Sequence, residues 1–242
     1  MERHRGFKAL FLVHNETSTG VAAPYLEAAT KLARDNGAFA VVDAISSLGG
    51  YAIPVDKWEV DVCITGSQKC IAAPPGLALL SVSKRVLEFL KKSPPKTRYF
   101  DIPRYLEYGG RGETPFTPAL PVYYALDEAL TEMLEEGLAK RVERHEEMSS
   151  LLYDGLASIG SKPVAERSVR SRTVLASYYP EGVDDVAFRK SLANDRGVVI
   201  AGGFGPFAGK VFRVGCMGNI NKDLVEITLK AIGETMSVFQ NR

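Results

Sequence analysis

Apolar residues fill nearly every position of KALFLVHN, Lys8 to Asn15, a run of strand length that breaks at His14-Asn15. The period then changes. In AAPYLEAATKLARDNG, Tyr25, Leu26, Ala29, Leu32 and Ala33 share one helical face, with Glu27, Lys31 and Arg34 opposite, and Gly37 suits the C-terminal end. AFAVVDAISS, DVCITGSQ and GLALLSVS are three further strand candidates, apolar on both faces, as strands are in a sheet covered by helices. From Lys91 to Pro118 the chain is rich in Pro, Gly, Tyr and charge and reads as a long loop serving a site or an interface.

A helical stretch follows from about Leu120 to Leu156, bent at Gly137, with Leu126, Leu130, Met133, Leu134, Leu138, Val142, Met148 and Leu152 as expected buried positions. Within it EEGLAKRVERHEE reads as a solvated face, and His145 as incidental. After Gly160 comes a second α/β unit: strand TVLASYY, helix DDVAFRKSLANDRG, strands GVVIAGG and KVFRVGCMG, and a last helix capped by Asn221 that buries Leu224, Ile227, Ala231, Ile232 and Phe239. The economical division is two domains, 1–125 and 126–242, the second including the long connecting helix.

Composition narrows the class. Among 242 residues, 30 basic against 29 acidic side chains leave a net charge of +1, which gives no footprint for nucleic acid or an acidic membrane surface. Three cysteines form no CxxC pair, and with three histidines there is no metal-ligand pattern. Cys63 and Cys216 read as core thiols in a reducing compartment. The basic start reads as the approach to a buried strand and not as a signal peptide, and no run reaches membrane-spanning length. The expectation is a soluble, cytoplasmic protein.

Ligands in open α/β sheets collect beyond the carboxyl ends of the strands. Three polar signatures fall there: HNETSTG, VVDAISS with Asp43, and GSQK with Lys69. From spacing alone, Asp43 and Lys69, 26 positions apart (69 − 43), are equally an ion pair or something more specific. A lysine amine can form a Schiff base with an aldehyde cofactor, and an aspartate can keep a pyridine nitrogen protonated so that the ring drains electrons from a carbanion.

HNETSTGV, VVDAISSLGG, GSQKCIAAPPG, TPFTPALPVYYAL and VFRVGCMG, in that order, resemble the class V (fold type I) aminotransferases, the alanine/serine–glyoxylate and serine–pyruvate group. The similarity runs from about Lys8 to Phe239. It implies the C-terminal part of a fold type I large domain, mainly a parallel sheet with helices, followed by a smaller α+β domain. It further implies pyridoxal 5'-phosphate as cofactor, with Lys69 as the Schiff-base lysine, Asp43 on the pyridinium nitrogen, and Gln68 and Thr17 as contacts near the phosphate and ring hydroxyl. By the same resemblance Arg213 grips the α-carboxylate of a small amino acid or 2-oxo acid, a task suited to its planar fork. Thr114 and Thr117, in the TPxTP loop, would reach the cofactor phosphate of the neighbouring subunit in a homodimer.

Weaker signals have plainer readings. His14 and Glu16 are expected in structural hydrogen bonds, and GGFGPFAGK fails the Walker pattern because Phe204 and Val211 stand at the wrong places. Gly202 and Gly203 fit a turn near the substrate carboxylate. The family's N-terminal portion, with its Gly-rich phosphate turn and ring-stacking aromatic, has no counterpart here, and Trp58 is misplaced to act as the stacker. Three explanations stand: a split enzyme with a separate N-terminal chain, a truncated product, or an inactive remnant serving as an assembly subunit. A lyase or cysteine desulfurase is a further alternative, against which Gln68 stands where those relatives carry a stacking His.

Overall fold

The computed structural model describes residues 6–240; the basic start at 1–5 and residues 241–242 lie outside them. Strand β1 (Ala9–Val13) leads into a small hairpin, β2 (Asn15–Glu16) and β3 (Val21–Ala22), and then helix α1 (Leu26–Asp35). Strands β4 (Phe39–Asp43), β5 (Val62–Gly66) and β6 (Ala78–Val82) complete a four-stranded sheet in the order β1-β4-β5-β6. β1, β4 and β5 run parallel, while β6 is antiparallel to β5, so the expected parallel sheet carries one reversed edge.

Alternation along these strands separates two faces. Leu12, Val42 and Cys63 point to the face that α1 covers through Leu26, with Trp58 packed in the same cluster. The opposite face carries Phe11, Val13, Val41, Ile64, Leu80 and, at its carboxyl end, Asp43. Helix α2 (Lys84–Lys92) reaches the lower end of that face, where Phe89 packs edge-on against Phe39 and Arg85 lies 4.6 Å above the Phe39 ring. Its upper end stays open, with Phe11 77% exposed.

The long loop from Lys91 contains a helix of its own, α3 (Ile102–Gly109), whose N-cap Asp101 accepts from the Arg104 amide. The predicted continuous helix is two: α4 (Leu120–Glu136) and α5 (Leu138–Ser158). They meet at Gly137, whose φ of 83° and ψ of 132° interrupt the helical ladder and change which face looks inward. Leu134 and Leu138 are therefore exposed, against the periodicity. The EEGLAKRVERHEE segment is correspondingly not a solvated face, since Arg141 and His145 are fully buried.

The second unit is an antiparallel sheet in the order β7-β8-β10-β9, built from β7 (Lys162–Pro163), β8 (Val174–Tyr178), β9 (Ala201–Gly202) and β10 (Val211–Gly215). Helices α5, α6 (Asp185–Arg196) and α7 (Lys222–Gln240) pack on it, and Leu152, Leu156, Phe188, Leu192, Phe212, Ile232 and Met236 make its core. GVVIAGG contributes only the two residues of β9 to the sheet. On α7 the buried stripe is Val225, Ala231, Ile232, Thr235 and Met236; Leu224 and Ile227 are exposed, while Asn221 Oδ1 does accept from the Leu224 amide. Leu32 on α1 and Tyr25, the N-cap before it, are exposed as well, because the buried arc is narrower than the apolar one.

The two units are stitched by polar contacts. Thr173 Oγ1 donates to Ser46 O (2.6 Å), Arg172 N donates to Tyr51 Oη (2.7 Å), and Ser171 N donates to Gly20 O (2.8 Å). Gly20, at φ 66°, approaches β8 so closely that a Cβ would lie 2.8 Å from Val174 O. Among the described residues no helix is long and apolar enough to cross a membrane.

Candidate active site

Asp43 closes β4, directly between the ends of β1 and β5 (Val13 and Ile64 are its register partners). Its backbone is pinned by the His14 amide (2.9 Å), and its Oδ1 accepts from Ile45 N (2.9 Å). The second oxygen, Oδ2, has no partner among the described residues. This half-buried carboxylate therefore faces outward from the strand end with one oxygen free to accept a hydrogen bond.

Lys69 sits three residues past the end of β5 in a tightly closed loop. Ser67 Oγ donates to Pro74 O (2.6 Å), Ala73 N donates to Ser67 O (3.0 Å), and Ala72 N donates to Lys69 O (3.0 Å). Those bonds and the Pro74-Pro75 pair fix the loop as the sequence suggested. Lys69 is half-buried, and its amine forms no ion pair or hydrogen bond among the described residues. Asp43 is thus not its salt-bridge partner. Gln68 is exposed and folds back so that a Cβ at Gly66 would meet its Oε1 at 2.8 Å.

Thr17 reaches across to Ser46 Oγ at 3.4 Å. Ser46 is the hub that sequence reasoning missed: its hydroxyl accepts from Asn15 Nδ2 (2.9 Å) and donates to Asn15 O (3.0 Å), binding the loop after β1 to the loop after β4. His14 is buried against Ser47 Oγ (2.9 Å) and stacks edge-on with Tyr51, the structural role expected of it. Desolvation lowers its pKa to about 4, so it is neutral at ordinary pH. Glu16 accepts from the Ser18 amide (2.8 Å), a local turn bond.

Arg213 comes from the middle of β10 in the second unit and points back at the first. Its Nε donates to Gly202 O (2.8 Å), Nη1 lies 3.5 Å from Thr17 O, and its guanidinium carbon sits 3.9 Å over the Phe204 ring. Nη2 has no partner among the described residues. Burial lowers the pKa of this arginine, yet guanidinium remains charged throughout the accessible pH range. In place of the expected Gly202-Gly203 turn, Gly202 ends β9, and Gly203 just after it has no room for a side chain because a Cβ would lie 2.3 Å from Phe207 O.

The structure therefore joins Thr17 and Arg213 directly, and sets Asp43 and Lys69 at the carboxyl ends of neighbouring parallel strands. Thr114 and Thr117 are not part of this cluster. Both are exposed on the segment before α4, where the Thr114 hydroxyl donates to Phe116 O (2.8 Å). A free carboxylate oxygen and an unpaired lysine amine at one end of the first sheet, with an arginine reaching in from the second, form a donor set that fits a pyridine aldehyde and a carboxylate substrate. The described residues hold less for a phosphate: Gln68 and Thr17 are polar groups near the lysine loop and hairpin, without a helix N-terminus.

A family model of the class V aminotransferases matches residues 4–207. The chain is 42% identical to an uncharacterized aminotransferase of Methanocaldococcus jannaschii over 96% of its own length and 60% of the relative's. It is 35% identical to the alanine–glyoxylate aminotransferase of Drosophila melanogaster, over 97% and 61% of the two chains. Among solved structures, pyridoxamine–pyruvate aminotransferase from Mesorhizobium loti superposes with a TM-score of 0.93 at 30% identity, covering 100% of this chain and 62% of that one. The chain thus spans about three-fifths of the length of the relatives it matches.

Proposed function

The chain belongs to the class V aminotransferase family, and we propose that it carries the catalytic part of a pyridoxal phosphate-dependent transamination between a small amino acid, alanine or serine, and a small 2-oxo acid, glyoxylate or pyruvate. The observation that carries this reading is the Lys69 amine, half-buried and unpaired, in a rigid loop one strand away from a carboxylate with a free oxygen. Residues 1–125 form the partial cofactor domain in this reading, and 126–242 the connecting helices with the small domain.

Pyridoxal phosphate supplies an electron sink for the bond being broken at the amino acid Cα. Asp43 Oδ2 would hold a proton on the ring nitrogen, and the Lys69 amine would take the proton from the substrate Cα and deliver it to the cofactor's aldehyde carbon, two atoms away across the amino nitrogen. Arg213 would bind the substrate carboxylate through its free Nη2, while its Nε stays anchored on Gly202 O. Gln68 and Thr17 would contribute to the phosphate and ring hydroxyl. Thr114 and Thr117, exposed beside the aromatic group of Tyr99, Tyr105 and Phe116, would serve the neighbouring site of a homodimer.

The open upper face of the first sheet supports a further contribution of chain, in the same polypeptide or a separate one, that completes the large domain. A sulfur-transfer reading finds no support among the cysteines. All three are buried, and desolvation pushes Cys63 and Cys70 up to about 11 and Cys216 to about 12, away from the thiolate.

The test is to add pyridoxal phosphate, reduce with borohydride and map the modified peptide by mass spectrometry. The cofactor mass should appear on Lys69 and vanish in Lys69→Ala. If no modified Lys69 is found, whether the chain is alone or co-expressed with the remainder of a class V large domain, the reading fails.

A further inference from the structure

Beneath the Lys69 loop lies a buried cation that the reaction itself does not call for. The turn Lys69–Ala72 holds Ala72 at φ 72°, a left-handed conformation that costs any residue with a Cβ. Inside that turn the Cys70 carbonyl accepts from both Nε (3.2 Å) and Nη2 (2.8 Å) of Arg141, on the first turn of α5. Arg141 is 1% exposed. Its Nη1 donates to Glu136 Oε2 (2.7 Å), the residue just before the Gly137 break. Arg144 grips the same carboxylate through Nε (2.6 Å) and Nη2 (2.8 Å).

The network continues into the second unit. Arg144 Nη1 donates to Gly218 O (3.1 Å) and Ile220 O (2.5 Å), and Arg141 Nη2 lies 3.3 Å from Asn219 Oδ1. These residues form the turn that follows β10, the strand of Arg213. Gly218 also presses on the lysine loop directly, since a Cβ there would lie 3.0 Å from the Ala72 Cβ. Two arginines share one carboxylate, and the Arg141 guanidinium is taken fully out of water, which is a poor way to fill a core when an apolar side chain of similar size would do. What the arginines achieve that an apolar residue could not is directional hydrogen bonding to main-chain carbonyls in two separate loops.

We propose that Arg141, with Glu136 and Arg144, is a positioning clamp that fixes the Lys69 turn relative to the strand of Arg213. It would thereby set the spacing between the amine and the carboxylate-binding guanidinium, and with it the short amino acids that the site can align. The role as catalytic positioning rests on the aminotransferase reading; the mechanical coupling does not.

Amide hydrogen exchange of the cofactor-free protein tests the coupling. In Arg141→Met, exchange should rise about tenfold or more at 67–73 and at 216–220 together, with β8 unchanged, and Arg141→Lys should restore part of the protection. Exchange that stays at the parent's level in either turn, or that rises uniformly across the molecule, overturns the clamp. Should Arg141→Met fail to fold, Glu136→Gln keeps both arginines and gives the same readout. In the loaded enzyme, misplacement should lower kcat about a hundredfold and leave KM for the amino acid within a few-fold. A parent protein that never binds the cofactor on Lys69 defeats the aminotransferase reading, while the exchange data still decide the clamp.

Discussion

At Asp43 the free energy at stake is that of one charge-assisted hydrogen bond, because its other oxygen is already spent on Ile45 N. Such a bond is worth roughly 1.5–3 kcal/mol, so Asp43→Asn should lower kcat by about 10- to 100-fold in a steady-state assay while leaving the fold intact. An unchanged kcat would show that nothing in the reaction leans on that carboxylate. His14 makes a different prediction. Its pKa falls from 6.5 to about 4 on folding, so between those values the unfolded chain binds the extra proton and stability drops as pH falls. The drop begins near pH 6.5, totals roughly 3 kcal/mol by pH 4 and then levels off. Denaturant melts at pH 7 and pH 5 should show it, and His14→Gln should remove most of the difference. Lys69 and Asp43 could be singled out in the sequence because each stands at the end of an apolar run, where a charged group needs a reason, whereas Arg213 was marked only by the resemblance. Ser46 and Arg141 could not, since their partners lie 31 and 71 positions away and nothing local marks them.

Strands and helices were legible at the level of elements wherever one period persists, as in β1, β4, β5 and α6. Apolar content alone misled where an element's surroundings change along its length. The stretch through Gly137 keeps a helical pattern on both sides, but the break rotates α5 against α4, and Leu134 ends up 80% exposed. The open space around Gly137, where a Cβ would meet nothing within 4 Å, means that its role is conformational and not steric. Gly137→Ala should therefore cost about 1–3 kcal/mol from strain alone, measured by chemical denaturation. It should also loosen the Glu136–Arg141 contact, which spans the break (2.7 Å). A substitution that is neutral in both respects would mean the break is held by packing elsewhere.

For the whole molecule, the second unit is closed around its own core, whereas the first leaves the upper end of one face open beyond the reach of α2. Phe11, Val13 and Leu80 stand exposed on the other face beside the partly covered Val41 and Ile64, a contiguous apolar surface of the kind that marks an association site. The relatives' additional two-fifths of length offers a source of cover, yet the sequence could not reveal which face needs it, because strands apolar on both sides look alike until the register is known. Phe11 and Val13 also lie on an edge strand, where unpaired backbone groups invite another strand. Isolated at micromolar concentration, the chain should self-associate through this surface. Phe11→Lys combined with Leu80→Lys should suppress the association in light scattering; the Phe11 change, at a side chain 77% exposed, should shift unfolding by no more than about 0.5 kcal/mol, and the Leu80 change, at a half-covered side chain, by about 1 kcal/mol. A double variant that scatters like its parent would place the association elsewhere and remove the reason for assigning extra chain to this face.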